Sequence, residues 1–206
     1  MKRDEKKMLS KRKILDSAFE EFGKRGYGLS SINTICTDGD ISKGILYHYF
    51  KDKDELYLVC VQELFDLLTE YLMRELSDVS GTKTARLERY FDARLDFFNE
   101  RPLYHRLFCD VVISSPQHLA ESIRKIKGEF DALNISVLTE LLKETQLRAD
   151  ITIESVVETF RLYQDFINAR YQMEPNGQID LEKHEQNCKR SIDVLLYGVI
   201  ERKNKK

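Results

Sequence analysis

The stretch ISKGILYHYFKDKDEL, from Ile41 to Leu56, gathers three lysines, a glycine and three closely spaced aromatics, Tyr47, Tyr49 and Phe50. Tyr47 and His48 lie beside core-type residues but at positions a short helix turns towards solvent, which a stable core does not require. The chemistry these side chains offer is recognition of nucleic acid. Lys43 at the helix start reaches a base edge or a phosphate, and Gly44 removes a side chain where backbone and DNA come close. Ile45 suits a thymine methyl. Tyr47 and His48 suit phosphates, which set the docking register. Lys53 falls in the first turn of the next helix, where its charge and the unpaired N–H groups favour another phosphate. A three-helix bundle with a few exposed aromatics is the plainer reading of the same residues.

The elements that hold this stretch are legible as helices. Ile14, Leu15, Ala18, Phe19 and Phe22 make one apolar face of a helix over about 8–25, ended by Gly26-Tyr27-Gly28. Ser30 or Ser31 caps a short second helix with Ile32 and Ile35 inward. The sequence TDGD (37–40) is a turn. Ser42 caps a third helix that sends Leu46 and Phe50 into a core shared with Ile14, Ala18, Phe22, Ile32, Ile35 and Ile41. Asp52 with Glu55 has capping-box spacing and opens a helix to Leu76, a rod of about 36 Å. Two short helices joined by a tight turn read as a helix-turn-helix, whose second helix enters the major groove.

Composition sets the class. The chain has 206 residues, 42% hydrophobic and 33% charged, with 9 glycines and 3 prolines. That suits one large domain, or a small domain fused to a medium one, and the absence of alternating runs makes it all-α. Net charge is −2, which opposes a generally basic coat. Yet Lys2, Arg3, Lys6, Lys7, Lys11, Arg12 and Lys13 crowd the start, either as an arm for phosphates or as a solvated terminus. No apolar run approaches the roughly 20 residues that span a bilayer, and no signal core follows the charged start; a cytoplasmic protein without membrane contact is expected. Cys36, Cys60, Cys109 and Cys188 show no C-x-x-C spacing, and the histidines at 48, 105, 118 and 184 lack ligand spacing. Buried thiols are favoured over a metal site or redox switch, and no cofactor is expected.

Residues 31–59, with Ser30 before them, read SSINTICTDGDISKGILYHYFKDKDELYLV. They resemble the DNA-binding signature of the TetR family of bacterial transcription regulators. That signature has a Ser/Thr start to the second helix, an I-x-x-x-x-x-V/I-S-x-G-x-L/I-Y-x-Y/H-F run, and K-x-x-L opening the fourth helix. The resemblance runs over about 45 residues from the first helix; beyond residue 60 it is one of length and helix count. It implies that Ser31, Thr34, Ser42, Lys43, Gly44, Tyr47, His48 and Lys53 occupy positions that commonly touch DNA. Cys36 and Gly39 stand where the family usually has alanine, and Asp40 where its turn glycine sits. Asp tolerates the left-handed conformation, though an acid near phosphates weakens binding.

The remaining chain must do more than read DNA. The expected organisation is an N-terminal three-helix helix-turn-helix domain (1–51) followed by a helical-bundle effector-binding and dimerisation domain (52–206). Helices are expected over 83–100, from there through Ile113, over 117–147, 152–173 and 180–202. In 152–173, Val156, Phe160, Tyr163 and Ile167 form one stripe and Leu162, Phe166, Ala169 and Met173 another, on opposite faces; one covers the chain's own bundle and the other a twin, unless the helix is wrapped within one chain. Leu181, Cys188, Ile192, Leu195, Leu196 and Val199 follow close to a heptad. The resemblance favours a homodimer through these two helices. Tyr163, Phe166, Ile167, Ile192, Leu195, Leu196 and Val199 are its candidate interface, which would present two reading helices to half-sites roughly 34–36 Å apart on a near-palindromic operator.

Phe91, Phe97, Phe98, Tyr104, Phe108 and Cys109 concentrate in the fifth and sixth helices. A pocket is mainly apolar with a few polar groups, so Phe91, Phe98, Tyr104 and Phe108 with Arg94, His105 and Gln164 are candidate ligand residues; core packing is the plainer account of each aromatic. The family implies a small-molecule effector, and the aromatics suggest an apolar or flat one. The expected function is a ligand-responsive transcriptional regulator, a repressor released by its effector. The alternative is a DNA-binding protein whose bundle recruits a protein partner. An enzyme is not expected, since H-E-x-x-H, a glycine-rich phosphate loop and a catalytic Cys/His constellation are absent.

Overall fold

The structure, a computed structural model, describes residues 3–77 and 83–172, with 183, 186–188, 190–191 and 194–196. Described elements are α1 (Arg3–Leu29), α2 (Ile32–Asp38), α3 (Lys43–Tyr49), α4 (Lys53–Ser77), α5 (Lys83–Glu100), α6 (Pro102–Ser114), a 3-10 turn (Gln117–Leu119), α7 (Ala120–Ile126), α8 (Gly128–Lys143) and α9 (Ile153–Gln172). The described part of the fold is all-α. Its contacts divide the chain into two compact units: Met1–Leu67 with Phe98–Gly128, and Leu68–Phe97 with Glu129–Lys206.

In the first unit, Ile14, Ala18, Phe22, Ile35, Leu46 and Phe50 are buried, while Ile32 and Ile41 sit half-buried at the margin of this core. Leu56, Tyr57 and Cys60 of α4 add to it, and α6 packs along α1. α1 runs further than its apolar pattern indicates, with a break at Gly26, where φ is 67°. That left-handed value suits glycine, and a Cβ there would come within 2.5 Å of Asp110 Oδ1.

The single helix expected over 117–147 is interrupted. Pro116 precedes a 3-10 turn, α7 ends as the Lys127 N–H closes on Ile123 O at 2.9 Å, and α8 begins at Gly128. Glycine is about 1 kcal/mol poorer than alanine inside a helix, and the break falls beside it.

In the second unit, α9 opens on a reciprocal cap: the Ser155 N–H donates to Thr152 Oγ1 at 3.2 Å and the Thr152 N–H to Ser155 Oγ at 3.1 Å. One α9 face, Val156, Phe160 and Ile167, is buried; Leu162 is 60% and Phe166 63% exposed, with Tyr163 at 44%. Ile167, grouped from the sequence with Tyr163 and Phe166 as an interface residue, therefore packs inward. Leu195 is half-buried and Leu196 buried; Ile192 and Val199 lie outside the described residues, as does most of the expected helix over 180–202. All four cysteines are buried free thiols. No described helix is long and apolar enough to cross a membrane.

Candidate nucleic-acid interface

Each end of the α2–turn–α3 unit is held by short-range hydrogen bonds. Ser31 Oγ accepts the Thr34 N–H at 3.1 Å and lies 2.9 Å from Thr34 Oγ1. The buried carboxylate of Glu21 accepts the Ser31 N–H at 3.0 Å. Ser17 Oγ donates to Ile35 O at 2.8 Å, which binds α2 to α1. Ser42 Oγ accepts the Ile45 N–H at 3.2 Å and caps α3. Removing such a cap costs about 1 kcal/mol.

The turn explains two of the three residues that depart from the TetR pattern, Asp40 and Gly39. Asp40 takes the left-handed position, with φ 45°. Gly39 has φ −81°, so its glycine answers a different need: a Cβ there would sit 2.6 Å from Ile41 Cδ1 and 2.9 Å from Ser17 Cβ and Ile35 O. Lys13 Nζ donates to Asp40 O at 3.0 Å.

Leu46 and Phe50 anchor α3 in the core. The opposite face presents Lys43, Gly44, Ile45, Tyr47 and His48 to solvent, with Ile45 46% and Tyr47 52% exposed. A Cβ added to Gly44 would meet nothing within 4 Å. Nothing in the described protein asks for glycine at this position, although glycine weakens a helix by about 0.5–1 kcal/mol relative to alanine.

Lys53 faces the α1–α2 junction. Its Nζ donates to Tyr27 O at 2.7 Å and Ser30 O at 3.1 Å, and lies 4.0 Å from the Tyr27 ring centroid. An ammonium has three donors, so one remains for a phosphate. The basic N-terminal run is partly committed within the protein. Arg12 pairs with both Glu63 oxygens at 2.8 and 2.9 Å and with Asp16, whereas Lys7 and Lys11 are exposed.

Several supporting residues had no signal in the sequence. Asp110 Oδ2, from α6, accepts the Tyr27 N–H at 3.1 Å and the Tyr57 hydroxyl at 2.8 Å. Burial pushes the Asp110 carboxyl above its ordinary range, against the opposing pull of these bonds. The Tyr27 hydroxyl bonds Asp54 Oδ1; burial and that bond push the phenol up to about 12. Asp54 is held below the usual carboxylate range, first by Tyr27, with His118 Nε2 at 3.1 Å from its other oxygen. The Tyr49 hydroxyl donates to Lys7 O at 3.2 Å.

The candidate ligand residues fall into two groups. Phe98, Tyr104, His105 and Phe108 belong to the first unit. His105 stacks on Phe98 at 4.4 Å, and Phe108 packs against Phe98 and Phe65. Tyr104 stacks on Phe19 and donates to Glu63 at 2.8 Å. Phe91, Arg94 and Gln164 belong to the second unit and line one small cavity with Leu87, Tyr90, Asn134, Leu138 and Phe160. Its volume, about 10 Å³, is the space of about one water.

Taken together, a capped pair of short helices with a polar, aromatic outer face defines a helix-turn-helix DNA-binding protein. Residues 14–60 match the model of the bacterial regulatory proteins of the tetR family. The chain is 28% identical over 136 residues to the biofilm operon icaADBC HTH-type negative transcriptional regulator IcaR of Staphylococcus epidermidis, covering 65% of this chain and 68% of that protein. It is 27% identical over 137 residues to the HTH-type transcriptional activator FasR of Mycolicibacterium smegmatis, covering 66% of this chain and 60% of that protein. In fold it resembles the transcriptional regulator FadR of Bacillus subtilis, solved in complex with stearoyl-CoA, with TM-score 0.69 and 16% identity over 91% of this chain and 98% of that one. It also resembles the ketosteroid transcriptional regulator KstR2 of Mycobacterium tuberculosis, with TM-score 0.59 and 21% identity over 92% and 94%. Residues 14–60 thus match the DNA-binding region of the tetR-family regulators, and the chain is similar over about two thirds of its length to DNA-binding transcriptional regulators.

Proposed function

We propose that this regulator is a repressor that acts in the cytoplasm as a homodimer and leaves a near-palindromic operator when a small molecule binds its helical bundle. Residues 1–51 read DNA, and 52–206 carry effector binding and dimerisation. The observation that carries the DNA-reading part is the outer face of α3. Lys43, Ile45, Tyr47 and His48 stand exposed around a glycine that no described neighbour requires. Lys43 contacts a base edge or phosphate, Ile45 a thymine methyl, and Tyr47 and His48 phosphates; Ser31, Thr34, Ser42 and Lys53 add contacts from the caps and the start of α4. The dimer reading is supported by the exposed Leu162, Tyr163 and Phe166 of α9. Repression follows the negative regulator IcaR, while FasR is an activator; an effector follows FadR, whose solved structure holds stearoyl-CoA. Effector binding shifts α4 and moves the reading helices off register, a coupling of about 1–3 kcal/mol.

The small volume of the α5–α8–α9 cavity favours a second reading, a bundle that recruits a protein partner and takes no small molecule. Screening compounds for release of a selected duplex separates the two. Release by a small molecule at saturation supports the effector reading, and unchanged DNA affinity across saturating binders removes it.

A further inference from the structure

We propose that His118 is a positioning residue for DNA binding: from the 3-10 turn after α6 it restrains Asp54 and so keeps the neighbouring Lys53 aimed at a phosphate. The inference rests on the DNA reading above. Tyr27 is the hub of the arrangement. Lys53 Nζ gives two of its three donors to Tyr27 O and Ser30 O and lies 4.0 Å from the Tyr27 ring centroid. The direction of the remaining donor therefore follows the position of Tyr27. Just past the left-handed break at Gly26, Tyr27 is pinned at both ends: its N–H by Asp110 Oδ2 of α6 and its hydroxyl by Asp54 Oδ1 of α4. The second oxygen of Asp54 lies 3.1 Å from His118 Nε2, which also comes within 3.4 Å of the Tyr27 hydroxyl. His118 is 64 residues from Asp54 along the chain and outside the helix-turn-helix segment.

Asp54 needs this restraint because it stands one residue from Lys53. Its carboxyl is held below the usual carboxylate range, first by the Tyr27 bond, so it is charged at neutral pH. A loose carboxylate at the start of α4 repels an incoming phosphate and competes for the ammonium that meets it. Tyr27 occupies one oxygen and His118 the other. With Asp54 as acceptor, the neutral ring carries its proton on Nε2, and the imidazolium offsets the acid's charge as well. The side chains of His118 and Asp54 are 56% and 39% exposed, and a pair so exposed contributes little to stability. Its effect falls on binding, through the lysine beside it.

The test measures affinity for a duplex selected from a random pool, over a series of salt concentrations. Wild type, K53A, H118A, K53A/H118A, H118Q and H118E are compared, each checked by thermal unfolding. H118A should lower affinity about fivefold at physiological salt and reduce the salt slope by about one per half-site, as K53A does. The double variant should bind no more weakly than K53A, because both changes remove the same contact. H118Q keeps an amide donor for Asp54 and should stay within about twofold of wild type. H118E has the shape of H118Q but adds a carboxylate, and should bind at least as weakly as H118A. Where H118A does not fold, H118Q against H118E decides. Losses in H118A and K53A that multiply, a loss with an unchanged salt slope, H118E binding as tightly as H118Q, or K53A binding like wild type overturns the proposal. Each of these, with wild-type binding intact, leaves the DNA reading standing; a wild type that binds no duplex removes both.

Discussion

The backbone N–H of Tyr27 donates to Asp110 Oδ2 at 3.1 Å, joining positions 83 residues apart. α1 breaks at Gly26, and α6 supplies the acceptor for the N–H beside that break. The same oxygen accepts the Tyr57 hydroxyl, so one carboxylate holds the end of α1 and the start of α4 together. Both bonds converge on one atom, which an asparagine amide oxygen can replace. D110A leaves two donors without their acceptor and should destabilise the protein by about 2–4 kcal/mol; D110N should cost under about 1 kcal/mol. Urea unfolding at neutral pH checks both, and equal losses in the two variants would contradict this role.

The raised carboxyl of Asp110 sets a pH dependence. Because the folded value lies above the unfolded value of about 3.9, the native state binds this proton more readily. Its contribution is fully present below the unfolded value and is lost as pH rises through the folded one. Wild type should therefore gain stability relative to D110N as pH falls from 7 towards 4. Urea midpoints of the pair at several pH values read the sign, and a relative gain for D110N on acidification would count against it.

G44A separates folding from reading. With nothing within 4 Å of the added methyl, the variant should be stabilised by about 0.5–1 kcal/mol. On DNA the methyl enters the space between backbone and duplex, and affinity should fall about tenfold or more. A stabilised variant with unchanged affinity would show that α3 does not approach DNA at this position.

The exposed α9 face should be covered in the working protein. L162D/F166D places two charges where a partner helix would pack, and sedimentation should move from dimer to monomer with the fold intact. Persistence of the dimer would transfer the interface to another surface.

What could be read from the sequence was what neighbouring residues decide. The caps at Ser31, Ser42 and Asp52 and the core positions of Phe22, Leu46 and Phe50 depend on partners a few residues away or on helical periodicity. Asp110 had no such signal, because its partners Tyr27 and Tyr57 lie in distant segments. Ile167 keeps to the buried stripe of Val156 and Phe160, whereas Tyr163, expected on the same stripe, is exposed, because periodicity does not mark where a buried face ends. Lys53 could be placed in the first turn of α4, but not its direction, which the carbonyls of Tyr27 and Ser30 set. The candidate ligand residues divided because clustering of aromatics along a chain does not say which helices share a space.

The most direct test of the central claim is selection of duplexes from a random pool by the full chain, followed by affinity measurement at physiological salt with wild type and K43A/Y47A. These two side chains are exposed and make little demand on the fold. The account predicts enrichment of a near-palindrome with half-sites about one helical turn apart, and a loss of about 30-fold or more in the double variant with unchanged unfolding. A double variant that binds the selected duplex as tightly as wild type, or a pool that yields no preferred sequence, would contradict it.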